Sequence, residues 1–159
     1  YKEEEIFIPE MMMAAQAVTE VIDMLKPHMP SGSGSRGTIV IGTVQGDIHD
    51  IGKNLVALLL YSNGYTVHDL GNNVAPEDFV LAAQKYNADI VALSALLTTT
   101  MENMDHTIEA FADAGLRGQI KIIIGGAPVS LEYAQEIGAD GYSEDAQGAV
   151  ELAGRLLEG

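Results

Sequence analysis

Apolar residues form five short runs that are separated by segments of helical length and amphipathic pattern. The first run, residues 38–44, consists mostly of β-branched residues, and a polar loop and a helical run follow it directly. Strands that are apolar throughout are typical of a parallel sheet whose two faces are covered by helices. We therefore predict an α/β domain. The predicted strands are residues 38–44, 65–70, 90–93, 120–124 and 139–142, and the helices that follow them are 52–62, 76–86, 101–114, 129–137 and 145–157.

Five strand–helix units fit the flavodoxin-like (Rossmann-like) strand order 2-1-3-4-5. In that order the first, third and fourth strands are neighbours, so the loops after them line one crevice. Ligands of such sheets bind beyond the carboxyl ends of the strands. We expect a functional site at this edge of the sheet.

The N-terminal segment predicts one further helix outside the sheet. Pro9 suits a first helical turn, helix-forming residues run from 10 to 25, and Pro27 and Pro30 end the helix. Methionines fill irregular apolar space, and five of them lie here: Met11, Met12, Met13, Met24 and Met29. A lone helix rarely buries so many, so we expect the chain to begin within a helical domain.

A serine–glycine run at residues 31–35 predicts a flexible linker. We place the domain boundary at residues 31–37. It separates a helical segment, residues 1–30, from an α/β domain, residues 38–159.

The composition limits the partners of this 159-residue chain. Acidic residues outnumber basic ones 23 to 8, for a net charge of −15, which disfavours nucleic acid and anionic membranes as partners. Without cysteine the chain forms no disulfide, thiolate zinc site or iron–sulfur cluster. The acidic start does not fit a signal peptide, and no apolar run is long enough to span a bilayer. We expect a cytoplasmic protein.

The loop after the first strand, residues 46–54, contains a single imidazole. His49 has no serine or cysteine beside it to activate as a nucleophile. As a metal ligand it could donate its other ring N–H to Asp47, and the hydroxyl of Thr100 could hydrogen-bond Asp47 in turn. One histidine can hold only an ion that brings its own ligands, such as a macrocycle. The alternative is a solvated loop histidine.

Two further loops fall at the same predicted edge. Residues 94–100 offer four hydroxyls among apolar residues, which suits a buried ligand tail, although Thr99 or Thr100 could instead cap a helix. Gly125 and Gly126 allow a bulky group to approach the backbone closely, or form an ordinary turn. Each motif alone is weak, but together at adjacent strand ends they favour one ligand site.

These motifs together resemble the cobalamin-binding domains of methionine synthase and of corrinoid proteins in methylamine, methanol, betaine and aromatic-ether methyltransferase systems. The family pattern is Asp-x-His-x-x-Gly, then Ser-x-Leu, then Gly-Gly. The corresponding segments here are Asp47-Ile48-His49-Asp50-Ile51-Gly52, Ser94-Ala95-Leu96 and Gly125-Gly126. The resemblance extends over residues 38–159, and the segment from Phe7 is similar to the last helix of the family's four-helix cap, whose earlier helices are absent from this sequence.

The resemblance implies a corrinoid (cobalamin) over the strand ends, bound base-off and His-on. His49 would be the cobalt ligand in place of the cofactor's own base, and the displaced nucleotide tail would enter the sheet edge. Phe7 and the methionines would face the upper, methyl-bearing side. The implied cofactor-binding residues are Gly46, Asp47, Ile48, His49, Asp50, Ile51, Gly52, Ser94, Leu96, Thr98, Thr100, Gly125, Gly126 and Ala146.

The function implied by the resemblance is that of a methyl carrier. The protein would shuttle a methyl group on cobalt between a substrate-specific methyltransferase and a second methyltransferase that uses tetrahydrofolate or a thiol as acceptor. It would be non-catalytic alone, as the corrinoid subunit of a cobalamin-dependent methyltransferase system. A reductive activator would be a further partner.

Three alternatives stay open at this point. Adenosylcobalamin-dependent mutases have Asp-x-His-Asp-Arg-Gly at this loop, and Ile51 stands where their arginine would be. A corrinoid-sensing regulator would bind the same cofactor without turnover. A flavodoxin-like receiver or flavin module would bind none, but a receiver would need an aspartate where Ser94 ends the third strand.

Overall fold

The computed structural model, which describes residues 8–28 and 35–159, contains a sheet of five parallel strands. The strands are β1 (Thr38–Thr43), β2 (Thr66–Asp69), β3 (Ile90–Ser94), β4 (Lys121–Gly125) and β5 (Gly141–Ser143). Their order across the sheet is β2-β1-β3-β4-β5. This confirms the predicted flavodoxin-like topology.

α1 (Ile8–Leu25) precedes the sheet, and each strand is followed by a helix that begins at the edge where that strand ends. These helices are α2 (Ile51–Ser62), α3 (Pro76–Tyr86), α4 (Glu102–Asp113), α5 (Leu131–Glu136) and α6 (Ala146–Glu158). Pro76 occupies the first position of α3, and Asn87 ends that helix in the left-handed conformation. The fifth helix is shorter than the predicted 129–137, because the Ser130 side chain caps it by accepting the N–H of Tyr133.

The hydrophobic core has two halves, one on each face of the sheet. Ile39 of β1 packs in a cluster with Leu60 of α2, whereas Val40 packs in a cluster with Phe79 of α3 and Phe111 of α4. None of these five residues has any exposed surface. Successive strand residues point to opposite faces, so a sheet covered on both faces requires the continuous apolar runs seen in the sequence.

The last strand begins later than the sequence predicts. Its predicted range starts at residue 139, but β5 starts at Gly141. The carboxylate of Asp140 accepts hydrogen bonds from the Ile122 N–H at 2.7 Å and from Arg117 Nη1 at 2.8 Å. A side chain therefore takes the acceptor position that a backbone carbonyl would occupy in a regular ladder.

The helical segment precedes the sheet, and α1 lies beside α2. It ends at Leu25, followed by a 3₁₀ turn at Lys26–His28 that contains Pro27. Met13 and Met24 are largely exposed, so they do not pack against the sheet domain. Among residues 8–28 and 35–159, no helix is long and apolar enough to cross a membrane. Part of the predicted N-terminal detail lies outside the described residues: linker residues 31–34, Phe7, Met29, Pro30 and the side chains of Met11 and Met12.

Candidate functional site

Parallel register brings the three predicted loops to one edge of the sheet. Thr43, the last residue of β1, pairs with Ser94, and Ser94 pairs with Gly125 at the end of β4. The chain therefore leaves all three strands at the same level. Three features meet there, as the sequence predicts. They are the polar β1–α2 loop, the hydroxyl-rich β3–α4 loop, and Gly125 and Gly126 at the end of β4.

Within the β1–α2 loop, Asp47 and His49 are hydrogen-bonded to each other. His49 Nδ1 lies 2.7 Å from Asp47 Oδ1, and the same oxygen accepts the backbone N–H of His49 at 3.0 Å. Asp47 is fully buried, while the imidazole side chain is 46% exposed. The predicted pairing is present, and it leaves Nε2 as the ring nitrogen available to a ligand.

The second oxygen of the Asp47 carboxylate is held by the β3–α4 loop. Oδ2 accepts the N–H groups of Leu96 at 2.7 Å and Leu97 at 3.3 Å, and the Thr100 hydroxyl at 2.8 Å. The Thr100 contact matches the prediction. The two backbone donors do not follow from residue types, because they depend on the path of the loop.

These donors keep Asp47 ionised. Burial alone would raise its pKa, but hydrogen bonds from the His49 and Leu96 backbones, the Thr100 hydroxyl and the His49 ring lower that pKa far below its ordinary value. An ionised carboxylate can only accept hydrogen bonds, so Nδ1 of His49 must carry the proton. In the neutral imidazole this places the lone pair on Nε2.

The surface around the imidazole is apolar and open. Ile48 is 72% exposed, and Ile51 and Leu96 are also exposed. Gly52 is exposed as well, and a Cβ atom built there would meet no atom of the chain. Glycine near a helix start lowers stability, and the chain offers no steric reason for it at this position. The site thus combines open space, an apolar surface and one available ring nitrogen. These features fit a flat macrocycle that carries its own metal.

A bare metal ion fits this edge less well. In the part of the chain that the structure describes, no three His, Asp or Glu side chains come together as a metal-binding group. An ion at His49 would therefore have to bring further ligands with it.

For two other loop features the structure bears on the alternatives that the sequence left open. Thr99 and Thr100 do not cap α4; the cap position is Met101, which has no side-chain cap bond, and Thr100 is turned instead toward Asp47. Contacts within the chain also account for glycine at positions 125 and 126. A Cβ at Gly126 would lie 1.8 Å from the Ala95 carbonyl oxygen, so the diglycine permits close packing of two loops whether or not a ligand is present.

The remaining predicted residues border this edge. Ser94 ends β3 and is partly buried, Thr98 is exposed in the β3–α4 loop, and Ala146 begins α6. Asp50 precedes α2 and accepts a hydrogen bond from the Asn72 side chain at 3.2 Å. The structure brings all of them to the carboxyl end of the sheet.

Two supporting contacts of the loop were not predicted. The Thr43 hydroxyl donates to the His49 carbonyl at 3.0 Å. Lys53 is buried and its Nζ lies 2.5 and 2.6 Å from the carboxylate oxygens of Asp69 at the end of β2. A lysine in the first turn of a helix that is apolar from Leu55 to Leu60 was the available sequence signal for this ion pair.

Comparison with known proteins gives consistent matches. The B12 binding domain family model matches residues 37–151. Dimethylamine corrinoid protein 3 of Methanosarcina mazei is 47% identical over 155 residues, which cover 96% of this chain and 93% of that protein.

Two solved structures resemble this chain in both fold and sequence. The Methanosarcina barkeri monomethylamine corrinoid protein has a TM-score of 0.81 and 36% identity, over 94% of this chain and 71% of that one. A chain of the methanol:cobalamin methyltransferase complex from the same organism has a TM-score of 0.75 and 35% identity, over 97% and 59% respectively.

Proposed function

We propose that this chain, which belongs to the B12-binding domain family, is the methyl-carrying corrinoid protein of a methyltransferase system. One observation carries the proposal: the buried carboxylate of Asp47 lies 2.7 Å from Nδ1 of the half-exposed His49. An imidazole prepared in this way offers Nε2 as a ligand to a metal centre that approaches the edge of the sheet.

The residues that would hold the corrinoid fall into two groups. His49 would supply the ligand nitrogen, with Ile48, Gly52 and Leu96 providing the open, apolar surface beside it. The second group would border the nucleotide tail: Ser94, Thr98, Gly125, Gly126 and Ala146. When bound, the corrinoid supplies a cobalt centre that accepts and releases a methyl group.

The protein's own part is to orient a ligand and to hold one proton. Asp47 keeps the imidazole in one tautomer and fixes the orientation of its ring. Thr100 and the Leu96 and Leu97 amides stabilise the charged carboxylate by donating hydrogen bonds to it. The β1–α2 loop would thereby present a preformed binding site to the cofactor.

The partners we propose follow from the relatives. Dimethylamine and monomethylamine corrinoid proteins and a methanol:cobalamin methyltransferase complex resemble this chain, which supports a substrate-specific methyltransferase as one partner. A second methyltransferase, with tetrahydrofolate or a thiol as acceptor, would remove the methyl group. A reductive activator would restore cobalt that has become oxidised.

The test is to load the purified chain with hydroxocobalamin and record its visible spectrum beside that of His49→Ala. We expect parent protein to retain the corrinoid with an imidazole-ligated spectrum, and His49→Ala to bind more weakly and lack that spectrum. The matched control is His68→Phe, which removes an imidazole from β2 but keeps a ring stacked on Tyr86. An identical spectrum in His49→Ala and parent would contradict the ligand assignment.

A second measurement separates a carrier from a sensor. The chain loaded with methylcobalamin is mixed with an acceptor methyltransferase and its acceptor, and methyl transfer is followed. Transfer supports the carrier function. Stable binding without transfer to any tetrahydrofolate or thiol acceptor would favour a corrinoid-sensing protein instead.

A further inference from the structure

The peptide group between Gln45 and Gly46 is held on both sides by asparagine side chains. Its carbonyl accepts a hydrogen bond from Asn103 Nδ2 at 2.8 Å, and its N–H donates to Asn73 Oδ1, also at 2.8 Å. The two side chains thus satisfy the acceptor and the donor of one peptide unit. Neither asparagine belongs to the motifs that identify the family in this sequence.

The two asparagines come from chain segments on either side of β1. Asn73 follows β2 and Asn103 lies in the first turn of α4, which follows β3. Since β2 and β3 both pair with β1, this peptide is clamped between its two neighbouring connections. Asn73 adds a third contact, because its backbone N–H donates to the Asp47 carbonyl at 2.9 Å.

The backbone conformations show that the clamp is built into the fold. Gly46 has φ +83°, and Asn73 has φ +51°, both in the left-handed region. Among residues with a side chain, asparagine tolerates that region best. The clamped peptide directly precedes Asp47, whose carboxylate receives the His49 ring, and the Thr43 hydroxyl holds the far end at the His49 carbonyl.

We propose that Asn73 and Asn103 are positioning residues that set the direction of the His49 imidazole by clamping the Gln45–Gly46 peptide. Neither needs to touch the ligand. They act through Asp47: a rotation of this peptide would turn the Asp47 carboxylate away from Leu96 and Thr100 and take the His49 ring with it. The part of this inference that concerns a bound corrinoid rests on the proposed function.

The two positions differ in the chemistry that they require. Asn73 accepts a hydrogen bond through its side chain, so Asn73→Asp preserves the contact and the left-handed backbone. Asn103 donates, so Asn103→Asp removes the donor and places a carboxylate against a carbonyl oxygen. General loosening of the loop would not distinguish the two aspartates in this way.

The first experiment uses the chain without corrinoid and measures hydrogen exchange of loop amides in Asn73→Gly. One hydrogen bond is worth a factor of roughly 2 to 12 in an equilibrium, so the Gly46 and His49 amides should exchange faster by about that factor. The matched control is Asn87→Gly, which has the same left-handed conformation (φ +50°) at the far end of α3. Unchanged exchange in Asn73→Gly, or an equal change at these amides in Asn87→Gly, would overturn the clamp.

The second experiment loads each variant with hydroxocobalamin and measures the fraction with an imidazole-ligated spectrum. We expect this fraction to fall in Asn73→Gly and Asn103→Asp and to stay at the parent level in Asn73→Asp and Asn87→Gly. Equal fractions in all four variants would contradict the positioning role. If the parent itself fails to bind corrinoid, the proposed function fails, whereas the exchange experiment still decides whether the clamp exists.

Discussion

Lys53 and Asp69 form an ion pair that joins the first turn of α2 to the end of β2. Lys53 Nζ is hydrogen-bonded to both Asp69 oxygens and, at 2.7 Å, to Asn54 Oδ1, and only 1% of the lysine side chain is exposed. Asp69 Oδ1 also accepts the N–H of Gly71. The helix that begins two residues after His49 is therefore attached to a neighbouring strand.

Removing one partner of this pair should destabilise the fold. Lys53→Met leaves the Asp69 carboxylate without its cation, and breaking a buried pair costs about 3–5 kcal/mol. The Asp69 side chain is 21% exposed and can be hydrated by water. We therefore expect the free energy of unfolding, measured with urea, to fall by about 2–3 kcal/mol. The double variant Lys53→Met with Asp69→Asn should recover part of it; a double variant as unstable as the sum of both single changes would contradict the pairing.

Gly52→Ala should stabilise the fold and weaken cofactor binding. A Cβ there meets no atom of the chain, and alanine is the better helix former, so the protein without corrinoid should gain up to about 1 kcal/mol in the free energy of unfolding. The added methyl group would stand in the open space at the helix start, three residues after His49, so hydroxocobalamin should bind more weakly. Titration and chemical unfolding check the two effects; unaltered affinity would show that no ligand approaches this face of the helix start.

Gly126→Ala should be far more damaging than the same change at Gly138. Both residues have positive φ, which strains alanine by about 1–2 kcal/mol. Only at Gly126 would the new Cβ also meet a backbone oxygen, 1.8 Å away; at Gly138 it meets nothing within 4 Å. We expect Gly138→Ala to lose about 1 kcal/mol and Gly126→Ala to lose several. Similar thermal midpoints would mean that the two loops do not approach so closely.

His68 should make stability fall as the solution becomes acidic. Burial, and then the charge of Lys85, lower the pKa of His68 in the folded chain below its ordinary value of 6.5. The unfolded chain then binds the proton more readily, so the stabilisation is complete above that value and is lost as the pH falls below it. His68→Phe keeps the ring against Tyr86, so its free energy of unfolding should fall less than that of the parent between about pH 7 and pH 5. Parallel pH profiles of parent and variant would refute this.

The strand order and the Asp47–His49–Thr100 chain could be predicted because both depend on spacing. Apolar runs separated by helices define the order of the sheet, and a carboxylate two residues before a histidine needs little else to meet it. The Leu96 and Leu97 donors and the Asn73–Asn103 clamp depend on how two loops fold against each other. Residue identity alone does not specify such side-chain-to-backbone contacts.

The ligand role of Gly125 and Gly126 stays a prediction. Contacts with Ser143 and Ala95 already require small residues there, so these glycines alone do not indicate a ligand. Glycine in a sequence signals close approach without naming what approaches. The same ambiguity affects Gly52. There the space beside the residue is open, so the structure favours approach by a ligand over packing within the chain.

The most direct test of the central claim is electron paramagnetic resonance of the chain loaded with cobalamin and reduced to cobalt(II). With unlabelled protein, one axial nitrogen should split the cobalt lines into triplets. If that nitrogen is Nε2 of His49, protein grown with nitrogen-15-labelled histidine should show doublets instead. Triplets that persist after labelling would mean that the cofactor's own base remains on cobalt, and the account of His49 as its ligand would be wrong.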